Sequence, residues 1–322
     1  MAAVMLAAVL SGCSGGKTEG QKIRLSEVTH SVFYAPQYVA ISQGFFKEEN
    51  LDVELLNGGG ADKVMTSVLT GEADIGLAGP EACIYVLLEG KENSPKVFAQ
   101  LTNCDGSFIV GRNKEAFSWD NLKGKTIIGG RKGGVPEMTL EYVMKKNGVI
   151  PQKDAVVDTS VQFDMMAGAF TGGNGDYVTL FEPTATEVEL AGQGYVLCSV
   201  GEQSGEIPYT AYFASQSYLK ENSDTVMRFT RAIAKSQQWV KDHSNEEIAE
   251  AVAPFFPDTS LKVLSSVAAR YKSINAWKYE PVMKQSALER LEDVMETAGE
   301  LERRVNFNDL VDNSFAQKAI QK

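Results

Sequence analysis

Short runs of alternating apolar and polar residues recur along the chain, and each is followed by a loop and then by apolar residues at helical spacing. The first run extends from Ile23 to Val28, and alternation of this kind predicts a half-buried β-strand. A helix is predicted from Pro36 to Gly44, because proline is tolerated in the first helical turn and glycine suits the left-handed turn that ends a helix. The chain therefore begins with a strand, a polar aromatic loop and a helix.

The same strand, loop and helix pattern is repeated through the first two thirds of the chain. Four prolines occupy equivalent points, each just past a predicted strand and at the start of a predicted helix: Pro36, Pro80, Pro136 and Pro183. This alternation is typical of right-handed parallel βαβ units, which place every loop after a strand at one edge of the sheet. Strands or extended segments are predicted at residues 23–28, 51–56, 73–78, 97–101, 107–111, 126–130, 155–158, 177–181, 195–200 and 208–214.

Two stretches of extended chain divide this pattern into two parts, one after Asn103 and one at residues 208–214. We therefore predict an α/β fold of two lobes, each a mostly parallel sheet flanked by helices, joined by two extended hinge crossings. The predicted limits are residues 22–106 plus 213–322 for lobe 1 and residues 107–212 for lobe 2. Beyond about Ser217 the spacing is helical without glycine loops, which predicts scaffold helices with no ligand chemistry.

Residues 1–21 are predicted to form a signal segment and a flexible tether. Met1 to Leu10 is an apolar run without charge, too short to span a bilayer as a helix, which takes about 20 apolar residues. Ser11, Gly12 and Cys13 follow, and they resemble the lipobox of a bacterial lipoprotein signal peptide. That resemblance implies a lipid-modified Cys13 and an extracytoplasmic protein anchored to the cell membrane. A basic segment is expected ahead of such a run, so we expect the signal to start further upstream. A frayed apolar N-terminus with a chance cysteine is the alternative.

Composition and charge narrow the class of protein. With 322 residues, of which 43% are hydrophobic, the chain can bury one large or two medium cores. The net charge is −11 with both signs interspersed, which argues against a nucleic-acid surface. Cys83, Cys104 and Cys198 show no CxxC spacing and the chain has only two histidines. No disulfide framework, zinc site or cofactor is therefore predicted.

Loops after the strands of lobe 1 supply the first candidate ligand-binding residues. His30, Phe33 and Tyr34 offer aromatic surface and a switchable hydrogen-bonding group. The alternative is that Phe33 packs into the lobe and His30 only caps the turn. Backbone amides at the start of the next helix suit a ligand oxygen or anion, although a tight turn also needs glycine there. The residues of this turn that we select are Asn57, Gly58 and Gly59.

On the opposing lobe, a positive charge stands beside free backbone amides. Arg131, Gly133 and Gly134 could clamp a sulfonate or a carboxylate, but an arginine in a loop is as often solvated. Three further candidates complete the set and indicate no preferred ligand charge. They are Gly79 at a strand end, and Asp105 and Tyr209 on the two crossings.

Three acidic residues favour the opposite ligand chemistry. Glu182 follows a strand directly, and Glu81 and Asp164 lie at helix starts. Carboxylates accept hydrogen bonds, so they suit an amino group and repel a sulfonate. The alternative for Glu81 and Asp164 is a favourable interaction with the helix dipole, worth about 0.3–1 kcal/mol.

Taken together, these segments resemble the substrate-binding lipoproteins of ABC importers for aliphatic sulfonates, taurine, nitrate and thiamine-type pyrimidines. The resemblance spans nearly the whole mature chain. It implies a type II periplasmic-binding-protein-like fold, a monomer, a small-molecule ligand held by hinge closure, and permease subunits as partners. The residues on which it rests are Ala35, Pro36, Ala40, Gly44, Phe45, Leu69, Gly71, Glu72, Ala73, Asp74, Leu122, Lys123, Gly124, Phe181, Glu182 and Pro183.

The ligand does not follow from the resemblance, because members of the family differ in substrate. Acidic and aromatic candidates outnumber basic ones, so we predict an amine-bearing heteroaromatic such as a thiamine-type pyrimidine. The alternatives are an aliphatic sulfonate or similar anion, or a ligand-sensing partner of a membrane receptor. A distant alternative is an enzyme similar to the fungal thiamine-pyrimidine synthases. Those enzymes have a cysteine-rich motif with histidine, whereas the cysteines here are dispersed, so no enzymatic activity is predicted.

Overall fold

The structure, a computed structural model, describes residues 20–321. Cys13 and almost all of the predicted signal segment and tether lie outside the described residues. The strands in the described chain are β1 (Gln21–Glu27), β2 (Leu51–Asn57), β3 (Ile75–Ala78), β4 (Lys96–Gln100), β5 (Phe108–Gly111), β6 (Thr126–Ile128), β7 (Val156–Asp158), β8 (Tyr177–Leu180), β9 (Tyr195–Ser199) and β10 (Ala211–Ala214).

Helices lie between the strands and make up the C-terminal third. The α-helices of residues 20–321 are α1 (Ala35–Ser42), α2 (Phe45–Glu48), α3 (Ala61–Thr70), α4 (Glu81–Leu88), α5 (Val135–Lys146), α6 (Met166–Thr171), α7 (Thr184–Leu190), α8 (Gly201–Ser204), α9 (Gln216–Glu221), α10 (Ser223–Asp242), α11 (Asn245–Val252), α12 (Leu261–Ser273), α13 (Gln285–Ala298), α14 (Phe307–Leu310) and α15 (Ser314–Ile320).

The strands form two sheets of five strands with the same plan. The first has the order β2-β1-β3-β10-β4 and the second the order β7-β6-β8-β5-β9. In each sheet three neighbouring strands are parallel, and the fourth, β10 or β5, runs antiparallel to both of its neighbours. The predicted fold of two mostly parallel sheets flanked by helices is therefore confirmed.

We call each sheet with the helices packed on it a lobe. β10, at Ala211–Ala214, pairs with β3 and β4 of the first lobe, so this strand begins just ahead of the predicted limit at residue 213. The limits 22–106 plus 213–322 and 107–212 otherwise remain a prediction.

The four prolines mark helix starts, as predicted. Pro36 and Pro136 lie in the first turns of α1 and α5, and Pro80 and Pro183 are the N-cap residues of α4 and α7. Gly44 has a φ of 77°, the left-handed conformation expected of it. It leads directly into α2, where only a turn was predicted.

A second difference concerns residues 161–170, where the apolar spacing alone predicts one continuous helix. The structure has a 3-10 turn at Phe163–Met165 and then α6. Gln162 is extended, with a ψ of 149°, so helical backbone cannot begin before Phe163. The interruption places Phe163 and Asp164 on a turn that faces the first lobe.

Two crossings connect the lobes, at residues 101–107 and 200–210, and they lie side by side. The Thr102 and Thr210 hydroxyls are 2.7 Å apart, and the Thr210 amide donates to Thr102 Oγ1 at 2.9 Å. Trp277, from the C-terminal part of the chain, pairs with Thr102, and its indole donates to Phe33 O at 2.9 Å. Chain from three separate regions therefore meets at the hinge.

Two further findings concern the cysteines and the helices of the described chain. Cys83, Cys104 and Cys198 are free thiols, the first two buried. None of the helices within residues 20–321 combines the length and apolarity needed to cross a membrane.

Candidate ligand site between the two lobes

A cavity of about 560 Å³, its opening included, lies between the two lobes beside the crossings. We call it the main cavity. The first lobe and the hinge contribute Val28, Tyr34, Gly59, Gly60, Ala61, Asp62, Gly79, Glu81, Tyr209 and Thr210, and the second lobe contributes Arg131, Gly134, Val135, Pro136, Gln162, Phe163 and Phe181.

Glu81 is the acidic group of the main cavity. It is the first residue of α4, and its side chain folds back over Gly79, where a Cβ atom would lie 2.0 Å from Glu81 Oε2. The residue is 1% exposed, and Oε2 is buried without a hydrogen-bond partner among the described residues. Burial raises the pKa of the Glu81 carboxyl to about 7, and the Arg131 charge and the nearby backbone amides of Glu81, Val135 and Ala82 limit that rise. An unpartnered buried acceptor is costly, so this oxygen is suited to a donor on a ligand.

Arg131 is the basic group of the main cavity and lies on the second lobe. Its Nε is 3.5 Å from Asp62 Oδ1, an ion pair that joins the two lobes across the cavity. The guanidinium side chain is 36% exposed, so solvent weakens this pair. The charge of Arg131 is thus shared between Asp62, on the first turn of α3, and the cavity.

Aromatic rings form two walls of the main cavity. The Phe163 and Phe181 rings, both from the second lobe, have centroids 5.1 Å apart. Tyr209, on the second crossing, meets Phe181 edge to face at 5.9 Å. Tyr34 lines the first-lobe side. An aromatic lining of this kind suits a ligand with a flat, apolar face.

Backbone amides at the start of α3 reach the same cavity. Gly59 and Gly60 have φ of 69° and 155°, conformations that favour glycine. The Gly59 amide donates to Asn57 Oδ1 at 3.1 Å, so that amide is already used. Gly60 is the N-cap of α3, and the amides that follow it lie where a ligand oxygen would be stabilised by the helix N-terminus.

A second space, also about 560 Å³ with its opening, adjoins the main cavity. Phe163 and Phe181 line both spaces and separate them. We call the second space the side chamber. Its lining comes from the loop Thr29–Ser31 of the first lobe and from Asp164, Met166, Ala167, Thr179, Leu180, Glu182 and Thr184 of the second.

Glu182 lines the side chamber but its carboxylate is already paired. It forms an ion pair with Arg270 of α12, and its two oxygens accept hydrogen bonds from the Thr186 amide at 2.9 Å and the Thr186 hydroxyl at 3.0 Å. Burial raises the pKa of the Glu182 carboxyl, and Arg270 opposes that rise. The carboxylate therefore caps α7, and Arg270 of α12 supports the chamber wall from behind.

His30 is held by a buried acidic network in the first lobe. Its Nδ1 is 2.9 Å from Glu27 Oε1 and its Nε2 is 2.8 Å from Phe255 O. Glu27 also accepts hydrogen bonds from Gln37 Nε2 at 2.6 Å and from the Tyr38 hydroxyl. The hydrogen bond to Glu27 raises the pKa of His30. Both ring nitrogens are engaged within the lobe, so the ring edge at the chamber has no nitrogen free for a ligand.

Five predicted site residues line neither space. Phe33 is fully buried, with its ring 5.2 Å from Phe181 and against Gly106, so it supports the wall from behind. Asp105 is also fully buried, and its Oδ1 accepts from the Ser107 amide at 2.6 Å. The remaining three are backbone supports: Asn57, Gly58 and Gly133.

The other predicted residues divide between the two spaces. His30, Asp164 and Glu182 line the side chamber. Seven line the main cavity, namely Tyr34, Gly59, Gly79, Glu81, Arg131, Gly134 and Tyr209.

Among the lining residues that were not selected from the sequence as ligand residues are Asp62, Phe163 and Phe181. Phe181 immediately precedes Glu182 at the end of β8, so its position at a strand end was a usable signal. Asp62, in the first turn of α3, offered the same signal as Glu81. Phe163 offered none, because the helical pattern around it concealed the 3-10 turn. Residues 20–321 contain no group of His, Cys, Asp or Glu side chains placed to hold a metal ion.

Comparison with known proteins assigns this architecture to a family. The model of the family described as NMT1/THI5 like matches residues 32–247. The chain belongs to this family. A Bacillus subtilis (strain 168) protein named "Putative binding protein YtlA" is 45% identical over 98% of this chain and 94% of its own length.

Two other matches are more distant. The 4-amino-5-hydroxymethyl-2-methylpyrimidine phosphate synthase of Candida albicans (strain WO-1) is 24% identical over 68% of this chain and 66% of its own length. The alkanesulfonate-binding protein SsuA of Xanthomonas axonopodis pv. citri, solved with MOPS bound, matches with a TM-score of 0.71 at 15% identity, over 91% of this chain and 98% of that chain. The fold is that of periplasmic binding proteins, as expected from the sequence.

Proposed function

We propose that this protein is the extracytoplasmic substrate-binding component of an ABC importer and captures a small organic nutrient between its lobes. Membership of the family and the cavity between two hinged lobes support this proposal. Ligand contacts from both sides would favour the closed form, which then docks on the permease subunits. Lipid anchoring through Cys13 belongs to the same proposal, as does action as a monomer.

The ligand class that the cavity supports best is an amine-bearing heteroaromatic, such as a thiamine-type pyrimidine. One observation supports this proposal above the others: Glu81 Oε2 is buried, has no partner among the described residues and borders a cavity with an aromatic lining. An exocyclic amine or protonated ring nitrogen would supply the missing donor, and the ring would lie between the aromatic side chains. The Candida synthase, named for a pyrimidine phosphate, is a relative in keeping with this class.

An aliphatic sulfonate is the second candidate, and the amides at the start of α3 with Arg131 favour it. Two charges oppose it. Glu81 would repel the sulfonate when ionised, and Asp62 already neutralises part of the Arg131 charge at 3.5 Å. The basic end of the cavity is therefore better suited to a neutral acceptor, such as a ring nitrogen, than to a full negative charge.

Titration calorimetry on the purified chain distinguishes these candidates. We expect 4-amino-2-methylpyrimidine and its hydroxymethyl derivative to bind, with ethanesulfonate, taurine and nitrate at least tenfold weaker. Tight binding of ethanesulfonate without binding of either pyrimidine would overturn the ligand class and leave the importer proposal intact. Thermal-shift measurements with the same compounds provide an independent check, since a ligand of the native state raises the melting temperature.

A binding protein returns its ligand unchanged, whereas an enzyme related to the Candida synthase would consume a substrate. Mass spectrometry of the pyrimidine recovered after prolonged incubation with the protein separates these outcomes. Unchanged pyrimidine is expected. Conversion of the pyrimidine, dependent on the protein, would contradict the proposed function.

A further inference from the structure

The side chamber opens a second space for the ligand beside the main cavity. Phe163 and Phe181 belong to the walls of both spaces, so a ring that lies against these side chains in the main cavity would lie next to the chamber. A substituent on that ring could reach the chamber around the two phenylalanines, through the gap between the lobes. The chamber has room for more than one water molecule.

Charge in the side chamber determines what kind of substituent fits. Two carboxylates near its wall are neutralised, Glu27 by His30 and Glu182 by Arg270. Asp164 also lines the chamber and forms no ion pair with any residue among 20–321. The balance is therefore one negative charge on an exposed residue, which disfavours a phosphate or sulfonate. Because solvent screens that charge, a cation gains little over a neutral hydrogen-bond donor.

Hydroxyl groups complete the polar lining. Thr29, Thr179 and Thr184 line the chamber, and Thr179 Oγ1 donates to Ile128 O at 3.5 Å, a weak contact. Hydroxyls both donate and accept. The polar groups of the chamber thus match a substituent that itself both donates and accepts, and the apolar lining by Met166, Ala167 and Leu180 suits its carbon chain.

We propose that the ligand has two parts, an amine-bearing ring in the main cavity and an uncharged hydroxylated chain in the side chamber. This inference rests on the proposed function, because it uses the ring bound beside Glu81. His30, Asp164 and Thr179 form part of the wall of this second subsite and set its shape and charge. Glu81 recognises the ring.

A matched ligand series tests the second subsite by titration calorimetry. The probes are 4-amino-2-methylpyrimidine and the same ring with a dihydroxypropyl, an aminopropyl or a phosphoryloxymethyl chain at C5. The dihydroxypropyl compound is expected to bind about tenfold tighter than the bare ring, the gain of one or two hydrogen bonds. The phosphorylated compound is expected to bind more weakly than the bare ring.

Two variants of the same helix provide the control. Ala167→Phe fills the chamber from α6 and should abolish the tenfold gain while the bare ring binds as before. Gly168→Phe is the matched control, because a Cβ atom at Gly168 meets no atom within 4 Å, and it should preserve the gain.

The outcomes separate this inference from the proposed function. If the bare ring binds and the dihydroxypropyl chain adds nothing, or if Ala167→Phe weakens both compounds equally, the second subsite is wrong and the ring site stands. A tighter phosphorylated or aminopropyl compound would overturn the uncharged chain in favour of a charged one. If no ring compound binds, both the proposed ligand class and the second subsite are wrong.

Discussion

At the scale of a single residue, the proposed ligand class depends on Glu81. The Glu81→Gln variant keeps the shape of the side chain but removes its charge and places an amide at the end of the chain. A hydrogen bond to a charged group contributes about 1.5–3 kcal/mol, so we expect affinity for the aminopyrimidine to fall about 10- to 100-fold. The melting temperature should hold or rise, because an unpartnered buried carboxyl is removed. Calorimetry and circular dichroism on the same preparation measure both quantities.

The control for this variant lies on the same stretch of chain. Glu89, the C-cap residue of α4, pairs with Lys91 and has a side chain 57% exposed. Glu89→Gln should leave binding unchanged. Equal affinity of the Glu81→Gln variant and the unmodified protein for the pyrimidine would show that Glu81 is not its partner.

His30 provides a second prediction at the residue scale, because both of its ring nitrogens face acceptors. Glu27 Oε1 and Phe255 O can only accept from the imidazole, so this arrangement requires the imidazolium form. The pKa of His30 is accordingly raised in the folded protein by its hydrogen bond to Glu27. A raised pKa means that the contribution of His30 to stability is complete below its unfolded value, about 6.5, and is lost as pH rises through the folded value.

Proton NMR of the imidazole signals against pH measures this directly. The chain has two histidines, so the His243→Gln variant leaves only the signal of His30. We expect that signal to titrate above pH 6.5, and the free energy of unfolding to decrease through the same pH range. A midpoint below 6.5 would contradict the imidazolium assignment.

The turn between β3 and α4 determines the position of Glu81 at the scale of elements. A Cβ atom at Gly79 would lie 2.0 Å from Glu81 Oε2 and 2.7 Å from Val135 Cγ2 of the opposing lobe. Gly79→Ala must therefore displace the carboxylate, the opposing lobe or both. Overpacking of this kind costs about 1–3 kcal/mol, and we expect a lower melting temperature together with loss of pyrimidine binding.

Gly168→Ala is the control for this change, since its added Cβ atom meets open space. Alanine is favoured over glycine in a helix by about 0.5–1 kcal/mol, so this control should melt at the same or a slightly higher temperature. Unaltered stability and binding in Gly79→Ala would mean that the carboxylate does not occupy the space over Gly79.

The elements themselves were largely predictable from the sequence, and the reason is that their signals are local. Alternation, a proline at the helix start and a left-handed glycine such as Gly44 lie within a few residues of the structure they specify. The 3-10 turn at Phe163–Met165 was not predictable, because its apolar spacing is also that of a helix. Sequence pattern also did not predict α2, which has only four residues.

The site was predictable only in part, because its decisive contacts join residues far apart in the chain. Phe33 and Tyr34 are neighbours in the chain, but Phe33 lies behind the cavity wall and Tyr34 lines the cavity. Hydrophobic periodicity cannot distinguish the two positions, because the turn that contains them has only three residues. Glu182 was predicted to face a ligand, but Arg270, 88 residues later, pairs with it. The positions of the strand ends predicted which loops come together. The pairing of Glu182 with a residue of α12 could be seen only in the folded structure.

At the scale of the whole molecule, three polar contacts join the two lobes. The Ser31 hydroxyl donates to Glu182 O at 2.6 Å, and the Tyr85 hydroxyl donates to Gly133 O at 3.0 Å. The third is the Arg131–Asp62 ion pair. A ligand that contacts both lobes adds to these interactions, so we expect the radius of gyration in X-ray scattering to fall when the pyrimidine is added. Identical scattering profiles with and without a bound ligand would exclude hinge closure.

Tyr85→Phe tests whether closure is an equilibrium that every ligand shares. The residue lies on α4 outside the lining of the main cavity, and the change removes one hydrogen bond between the lobes, worth about 0.5–1.5 kcal/mol. Observed affinity scales with the fraction of protein in the binding-competent form, so every compound should lose the same factor, between about 2- and 10-fold. Glu81→Gln, in contrast, should weaken only compounds with an amine. Tyr177→Phe is the matched control, because its hydroxyl is 2.7 Å from Glu115 within the second lobe and its loss should leave affinity unchanged. A loss confined to one compound of the series would show that Tyr85 acts on the ligand and not on closure.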